Sequence, residues 1–498
     1  MKRVLKNKKD LIIFLIIFVI TLIIFIPFLK VHYSTDSYGI ANVGYKAYII
    51  NNSLRDGRII MSVIGYIAEL TNISIDSSII ILTILALITS CISVLLLKNI
   101  ILEYKKTNTN IIEIFVTIIS YFTIFNFLFI ENMLYVECFV MSLSILFYLM
   151  AAKILTNKND KYYLIKTMIF VSLGILSYQG TISMFLISLL VFSLIKNKDY
   201  KLIIKDLILG GIITTFGICV QLLFIECSQR IFNIQQTRIN DLKELQKNII
   251  PILKNLPLIL INTGFVYPKY LYIIFISIIE LVIIIKAFKD KKLDYFLYNQ
   301  LIIIFFSIMF AIAISFISTS GFWNARIRFS IGTTIGFLLL YLYYETDLLN
   351  NLKRRINLVI LFIFAIYALS IIINYIGIMN NTLKVNDKDK KLAIEILQYV
   401  ENYEKENRIK VDKLVIAKGK GDNKTYFKEL KYKNSALSWS SMRTQWAIEG
   451  TLEMYTDKEF NLIKDINHEN LKYFYENVDV NREYMCINDA LYISYYVD

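Results

Sequence analysis

The run LIIFLIIFVITLIIFIPF, residues 11–28, decides the fold. It carries no charge, follows the basic segment MKRVLKNKKD, and approaches the ~20 apolar residues that cross a bilayer at about 1.5 Å per residue. It is too long for the hydrophobic part of a cleaved signal and lacks a small-residue cleavage site, so it reads as an uncleaved signal anchor. The rest of the chain agrees in composition: 498 residues, 56% hydrophobic, mean hydropathy +0.55 and only 4 prolines. That places it in the polytopic membrane class and excludes a soluble enzyme.

Eleven spans follow from the apolar runs, beginning near Leu11, Ser78, Ile111, Leu134, Tyr163, Thr181, Leu207, Tyr270, Phe296, Phe329 and Ile356. With the N-terminus cytoplasmic, the inner loops, among them KNKDYKLIIK and KAFKDKK, hold more Lys and Arg than the outer ones, as the positive-inside bias requires. The net charge of +14 therefore reflects topology and not nucleic-acid binding. From Tyr163 to Ile195 a single helix would be about 50 Å long, beyond a core of about 30 Å. A hairpin with its polar tip at Tyr178 and Gln179 fits better, and buried polar backbone at such depth lines protein or a cavity.

The expected architecture is a polytopic α-helical membrane domain over 1–379 with about eleven transmembrane helices, followed by a small extracytoplasmic α/β domain over 380–498. Two large outer loops, 29–77 and 227–269, interrupt the membrane domain. The first contains GRIIMSVIGYIAEL, too short to span and read as a helix in the interface plane. The second joins QRIFNIQQTRINDLKELQKN to PILKNLPLILINTGFVYP, whose three prolines break any spanning helix. In the tail, KKLAIEILQYVENYEKE is amphipathic and KLVIAKG strand-like. Cys91, Cys138 and Cys219 lie in apolar segments with no C-x-x-C pair, and His32 and His468 are the only histidines. Neither a disulfide framework, a zinc site nor a Ser/His triad is expected.

Within VHYSTDSYGI, residues 31–40, Asp36 stands at a membrane boundary without an adjacent cation; a carboxylate there is costly and calls for a reason. In order along residues 11–345, HYSTDSYGI, DGRIIMSVI, ENMLYVECFVMSLSILFYL, LGILSYQG and NARIRFSIG resemble the serotype-converting O-antigen glucosyltransferase family, within the GT-C superfamily of membrane glycosyltransferases. The resemblance implies a GT-C-like fold and transfer of a sugar, glucose in that family, from a polyprenyl-phosphate carrier to a cell-surface glycan outside the membrane. It also implies the bilayer, a donor synthase and a flippase as partners. The family pattern often has two adjacent acidic residues, and Ser37 occupies the second position. A divalent metal is therefore possible but unsupported, and no other cofactor is implied.

The chemistry needs a base for the acceptor hydroxyl, worth about 10² to 10⁴ in rate, and donors where the leaving phosphate's charge develops. Asp36 is the candidate base; a helix cap or a solvated loop charge is its plain alternative. Arg55, Arg58, Arg326 and Arg328 are candidate phosphate ligands, with neutralisation of Asp56 or binding of lipid headgroups the plain alternative for Arg58. Glu131, Tyr135 and Glu137, at the outer start of the fourth span, and Tyr178 and Gln179 are candidate substrate contacts. So is Trp323, whose alternative is a membrane-belt aromatic. A single displacement with one base implies inversion. Glu280, in the eighth span, has no evident role. Two other classes compete: a flippase or exporter of lipid-linked glycans, and a non-catalytic subunit of an envelope-glycan complex. An exporter more naturally has paired halves with broken helices at matching positions, and no such symmetry is visible.

Overall fold

The computed structural model describes residues 8–105, 110–197, 199–234, 250, 254, 270–289, 293–317, 325–345, 355–419, 439–456, 458–463, 467–479 and 482–496. Helix α1 (Lys8–Ile24) is the opening apolar run, and Pro27 sits in the 3-10 turn Ile26–Leu29 that ends it. After α2 (Thr35–Tyr48), a π-helical stretch and α3 (Ile59–Leu70) come the longer helices α4 (Ile75–Tyr104), α5 (Asn110–Ile124), the single turn α6 (Phe129–Asn132), α7 (Cys138–Asn157), α8 (Tyr163–Tyr178), α9 (Ser183–Lys196) and α10 (Tyr200–Phe232). Then follow α11 (Leu271–Lys289), α12 (Leu293–Ile317), α13 (Phe329–Glu345) and α14 (Arg355–Asn407).

Among the described residues, five helical stretches are long and apolar enough to cross a membrane: 75–104, 138–157, 200–232, 326–345 and 358–407. The pair α8 and α9 adds a sixth if it counts as one broken span, bent by 114°. The bend falls at Gln179–Thr181, where a hairpin tip was expected. Outward-facing apolar side chains such as Ile16, Ile23, Ile208 and Leu223 are about half exposed or more, the pattern of a helical membrane protein whose surrounding solvent is lipid.

Polar side chains tie the helices together. Buried Lys98 on α4 donates to Asp10 of α1 at 2.8 Å and Glu113 of α5 at 3.2 Å, while Thr21 of α1 donates to the Tyr121 hydroxyl of α5 at 3.2 Å. Each bond joins residues far apart in sequence and satisfies groups that cannot be left unpaired in apolar surroundings. By contrast, Glu280 on α11 has a buried Oε1 with no hydrogen-bond partner among the described residues.

Three boundaries differ from the sequence reading. The fourth span begins at Cys138 and not near Leu134, because turns stop the chain first: Met133 N–H bonds Ile130 O at 3.1 Å and Cys138 N–H bonds Tyr135 O at 2.9 Å. Apolar Leu134 and Val136 disguise that turn as helix. Glu137 consequently stands at the position just before α7 instead of a turn inside it, and its side chain makes no capping hydrogen bond. Helix α10 runs on to Phe232, past the start expected for the second outer loop; most of that loop lies outside the described residues. Finally, the composition change near Asn380 falls inside α14, which continues unbroken from the apolar part into the tail.

The tail then forms β1 (Lys413–Lys418), α15 (Ile448–Thr456), β2 (Asn461–Leu462), α16 (His468–Asn477), β3 (Tyr484–Ile487) and β4 (Ala490–Tyr495). The sheet order is β2-β1-β4-β3, with β1 parallel to both neighbours and β3–β4 an antiparallel hairpin. Its core joins Leu414, Leu491 and Ile493 to Ile396 and Val400 of α14, so the end of the long helix is one layer of the small domain.

Candidate functional site

The segment DGR, Asp56 to Arg58, is a tight turn between the π-helical stretch and α3. Gly57 has φ +71°, and a Cβ there would lie 2.7 Å from Gln221 Cγ, so only glycine fits without strain. The Asp56 carbonyl accepts from Gln221 Nε2 at 2.9 Å and Gln179 Nε2 at 3.5 Å. Helix α10 and the α8–α9 bend thus fix the turn that carries Arg58.

Arg58 Nη1 donates to Glu137 Oε2 at 2.5 Å, and its Nη2 lies 3.3 Å from Asp56 Oδ2. Burial works against the Arg58 charge, but Glu137 and Asp56 outweigh it and raise its pKa. Glu137 also accepts from the Tyr48 hydroxyl at 2.8 Å. Burial first, and then Glu137 and Asp36, raise the pKa of Tyr48, so this phenol stays protonated as a donor. Arg55 bonds Asp56 Oδ1 at 3.3 Å and Asn52 at 3.2 Å, on the far side of the same turn.

Arg326 lies in the 3-10 turn Ala325–Arg328 that leads into α13. Its backbone N–H donates to Glu131 Oε2 at 2.8 Å, and its guanidinium stands 4.2 Å from the Tyr135 ring centroid. Among the described residues no carboxylate forms an ion pair with that guanidinium. Arg58 approaches the opposite partner, with its guanidinium 5.1 Å from the Tyr178 ring centroid. Tyr135, Tyr178, Glu131 and Arg58 all lie within electrostatic reach of Arg326. Arg328 is buried, with Glu131 the charge nearest to it in effect.

Asp36 occupies the first turn of α2 and is partly buried. Ser34, not Asp36, caps the helix, exchanging hydrogen bonds with Ser37 in a capping box. The cap alternative therefore does not account for the aspartate, whose charge acts on the hydroxyls of Tyr48 and Tyr135. Ser37 spends its hydroxyl on that cap, and among the described residues no three His, Cys, Asp or Glu side chains stand together.

The structure thus brings Asp36, Arg58, Glu131, Tyr135, Glu137, Tyr178, Gln179, Arg326 and Arg328 into one neighbourhood at one end of the bundle, leaves Arg55 at its edge, and does not describe Trp323. Sequence reasoning missed Tyr48 and Gln221, which reach the site across 89 and 165 residues. It also missed Asn132, fully buried beside Glu131, whose side-chain amide has no hydrogen-bond partner among the described residues. A polar residue inside the apolar stretch FLFIENMLYV was the only available signal.

Compared with protein-family models, with curated proteins and with solved structures, the chain matches none. The fold and the polar cluster define a helical protein of membrane type with a small C-terminal sheet domain.

Proposed function

We propose that the chain is an integral-membrane glycosyltransferase of GT-C-like architecture, with a polyprenyl-phosphate sugar as donor and a cell-surface glycan as acceptor. Glucose is the sugar that the sequence resemblance favours. In this reading the eleven apolar helices from α1 to α14, leaving out α2, α3 and α6, are the spans. The N-terminus is cytoplasmic and the tail is extracytoplasmic, with the polar cluster at the outer face.

The observation that carries the proposal is two neighbouring guanidiniums around Tyr135 and Tyr178, with Arg326 lacking a carboxylate partner among the described residues, beside a carboxylate on α2 that is not used as a cap. A guanidinium that has no carboxylate partner in a partly buried place is stabilised by a bound anion, and guanidiniums suit phosphate oxygens. In the proposed step Asp36 takes the proton of an acceptor hydroxyl while that oxygen bonds the anomeric carbon. The bond from that carbon to the phosphate oxygen breaks, its electron pair leaving with polyprenyl phosphate toward Arg326 and Arg328. One displacement inverts the anomeric configuration. Arg58, neutralised by Glu137 and Asp56, orders the site instead of binding phosphate in the resting protein.

The test is transfer in proteoliposomes from synthetic polyprenyl-phosphate glucose to extracted envelope glycan. Glucose appearing on the glycan supports the proposal. No transfer with any polyprenyl-linked sugar, together with movement of labelled lipid-linked glycan across the bilayer, replaces it with the exporter reading.

A further inference from the structure

The tail does not hang free of the membrane domain. Helix α15 lies directly on α2, the helix that carries Asp36. The approach is so close that a Cβ at Gly450 would fall 2.2 Å from the Tyr38 carbonyl oxygen and 3.1 Å from Asn42 Cβ. One end of α15 makes a second contact: the hydroxyls of Tyr455 and Tyr38 are 2.8 Å apart, and the Tyr455 ring stands edge-on to Tyr38 and Tyr33. A third hold comes from α14, whose Asn386 side chain donates to Tyr33 O at 3.0 Å and accepts from Tyr33 N–H at 2.9 Å, immediately before the cap of α2. One turn further along α14, buried Asp389 accepts from Ser440 Oγ at 2.5 Å and Ser441 N–H at 2.7 Å, anchoring the segment that leads into α15.

These contacts converge on residues 33–42. At the other end of that stretch Gly44 breaks the helical backbone at φ 76°, so the first turns of α2 are a short body whose orientation its surroundings must supply. Asp36 lies two residues from Tyr38 in this body. We propose that the C-terminal domain sets the position of α2, and that Gly450 and Tyr455 are positioning residues for Asp36. This rests on the reading of Asp36 as the base, because what is positioned matters only if it reacts.

A methyl group at 450 forces α15 and α2 apart by about 1 Å, and a misplacement of that size lowers the rate of a positioned reaction about a hundredfold. Full-length wild type, Gly450→Ala and Tyr455→Phe, held in nanodiscs, are compared by hydrogen exchange and by steady-state sugar transfer. The expected result for Gly450→Ala is faster exchange in peptides covering 33–43, unchanged exchange in α7, and kcat about a hundredfold lower with donor KM within roughly threefold. Tyr455→Phe, which deletes one hydroxyl, gives the same pattern with a smaller loss. If Gly450→Ala is disordered throughout, Tyr455→Phe decides. Unchanged exchange over 33–43 in a folded variant overturns the proposal, as does altered exchange with wild-type kcat or a loss confined to KM. Should the wild type transfer no sugar at all, the glycosyltransferase reading fails, and the exchange data alone decide whether the tail holds α2.

Discussion

Alanine at 326 and alanine at 58 are expected to do opposite things. The Arg326 guanidinium rests on the Tyr135 ring at 4.2 Å with no ion-pair partner among the described residues, so truncation removes a cation–π contact of about 0.5 to 2 kcal/mol and leaves no carboxylate stranded. A charge-assisted hydrogen bond to the donor phosphate contributes about 1.5 to 3 kcal/mol. At about 1.4 kcal/mol per decade its loss weakens donor binding roughly ten- to hundredfold. Arg58 instead pairs with Glu137, the two side chains being 12% and 4% exposed. Breaking such a pair leaves a carboxylate buried and costs about 3 to 5 kcal/mol of stability. The assay is paired: titration of polyprenyl-phosphate glucose onto protein in nanodiscs, and thermal unfolding of the same samples. Arg326→Ala should lose affinity and keep most of its stability, while Arg58→Ala should lose stability first. Wild-type donor affinity in Arg326→Ala, or equal destabilisation of the two variants, would refute the division of labour between the two arginines.

Gly57→Ala places a side chain at φ +71° against Gln221; the left-handed conformation alone costs about 1 to 2 kcal/mol, so the unfolding midpoint should fall and Gln221→Ala should recover part of the loss. Lys98→Met strips Asp10 of its partner and Glu113 of one of its two, and should destabilise the bundle by about 3 kcal/mol or more, with Asp10→Asn in the same chain restoring most of it; no recovery would mean the lysine acts otherwise. Asp389 stands beyond the apolar part of α14, where burial first, against the bonds from Ser440 and Ser441 and the charge of Arg443, pushes its pKa up to about 7. Because the folded pKa lies above the ordinary one, its contribution is fully present near pH 4, declines as pH rises through about 7 and is flat above that. Exchange protection of the tail should follow this course in the wild type and lose it in Asp389→Asn, with Tyr38 and Tyr455, the other titratable groups affected by Asp389, left unchanged.

Apolar runs made the helices of the bundle legible, since a stretch such as residues 11–28 has few alternatives in any solvent. Length required a break between Tyr163 and Ile195, and the polar residues Tyr178 and Gln179 placed it. Turns hidden inside apolar sequence were not legible: Leu134 and Val136 look helical, and only the hydrogen bonds closing at Ile130 and Tyr135 end the chain's run before Cys138. The site divides the same way. Asp36, Arg58 and Arg326 stand out because they are charges in outer segments beside apolar runs, where a phosphate-bearing lipid substrate would be met, whereas Tyr48, Gln221 and Asn132 are ordinary residues that matter only through contacts the chain makes after folding. The grip of Gly450 and Asn386 on residues 33–42 crosses more than 340 positions, and composition carries no trace of it.

The central claim is tested most directly by Asp36→Asn, which keeps the size and removes the charge of the side chain. In proteoliposomes with polyprenyl-phosphate glucose and envelope glycan, transfer by this variant should fall by about 10² or more, while membrane insertion, donor affinity and exchange protection of α2 stay at wild-type levels. Transfer at near wild-type rate would contradict the account and remove Asp36 as the base.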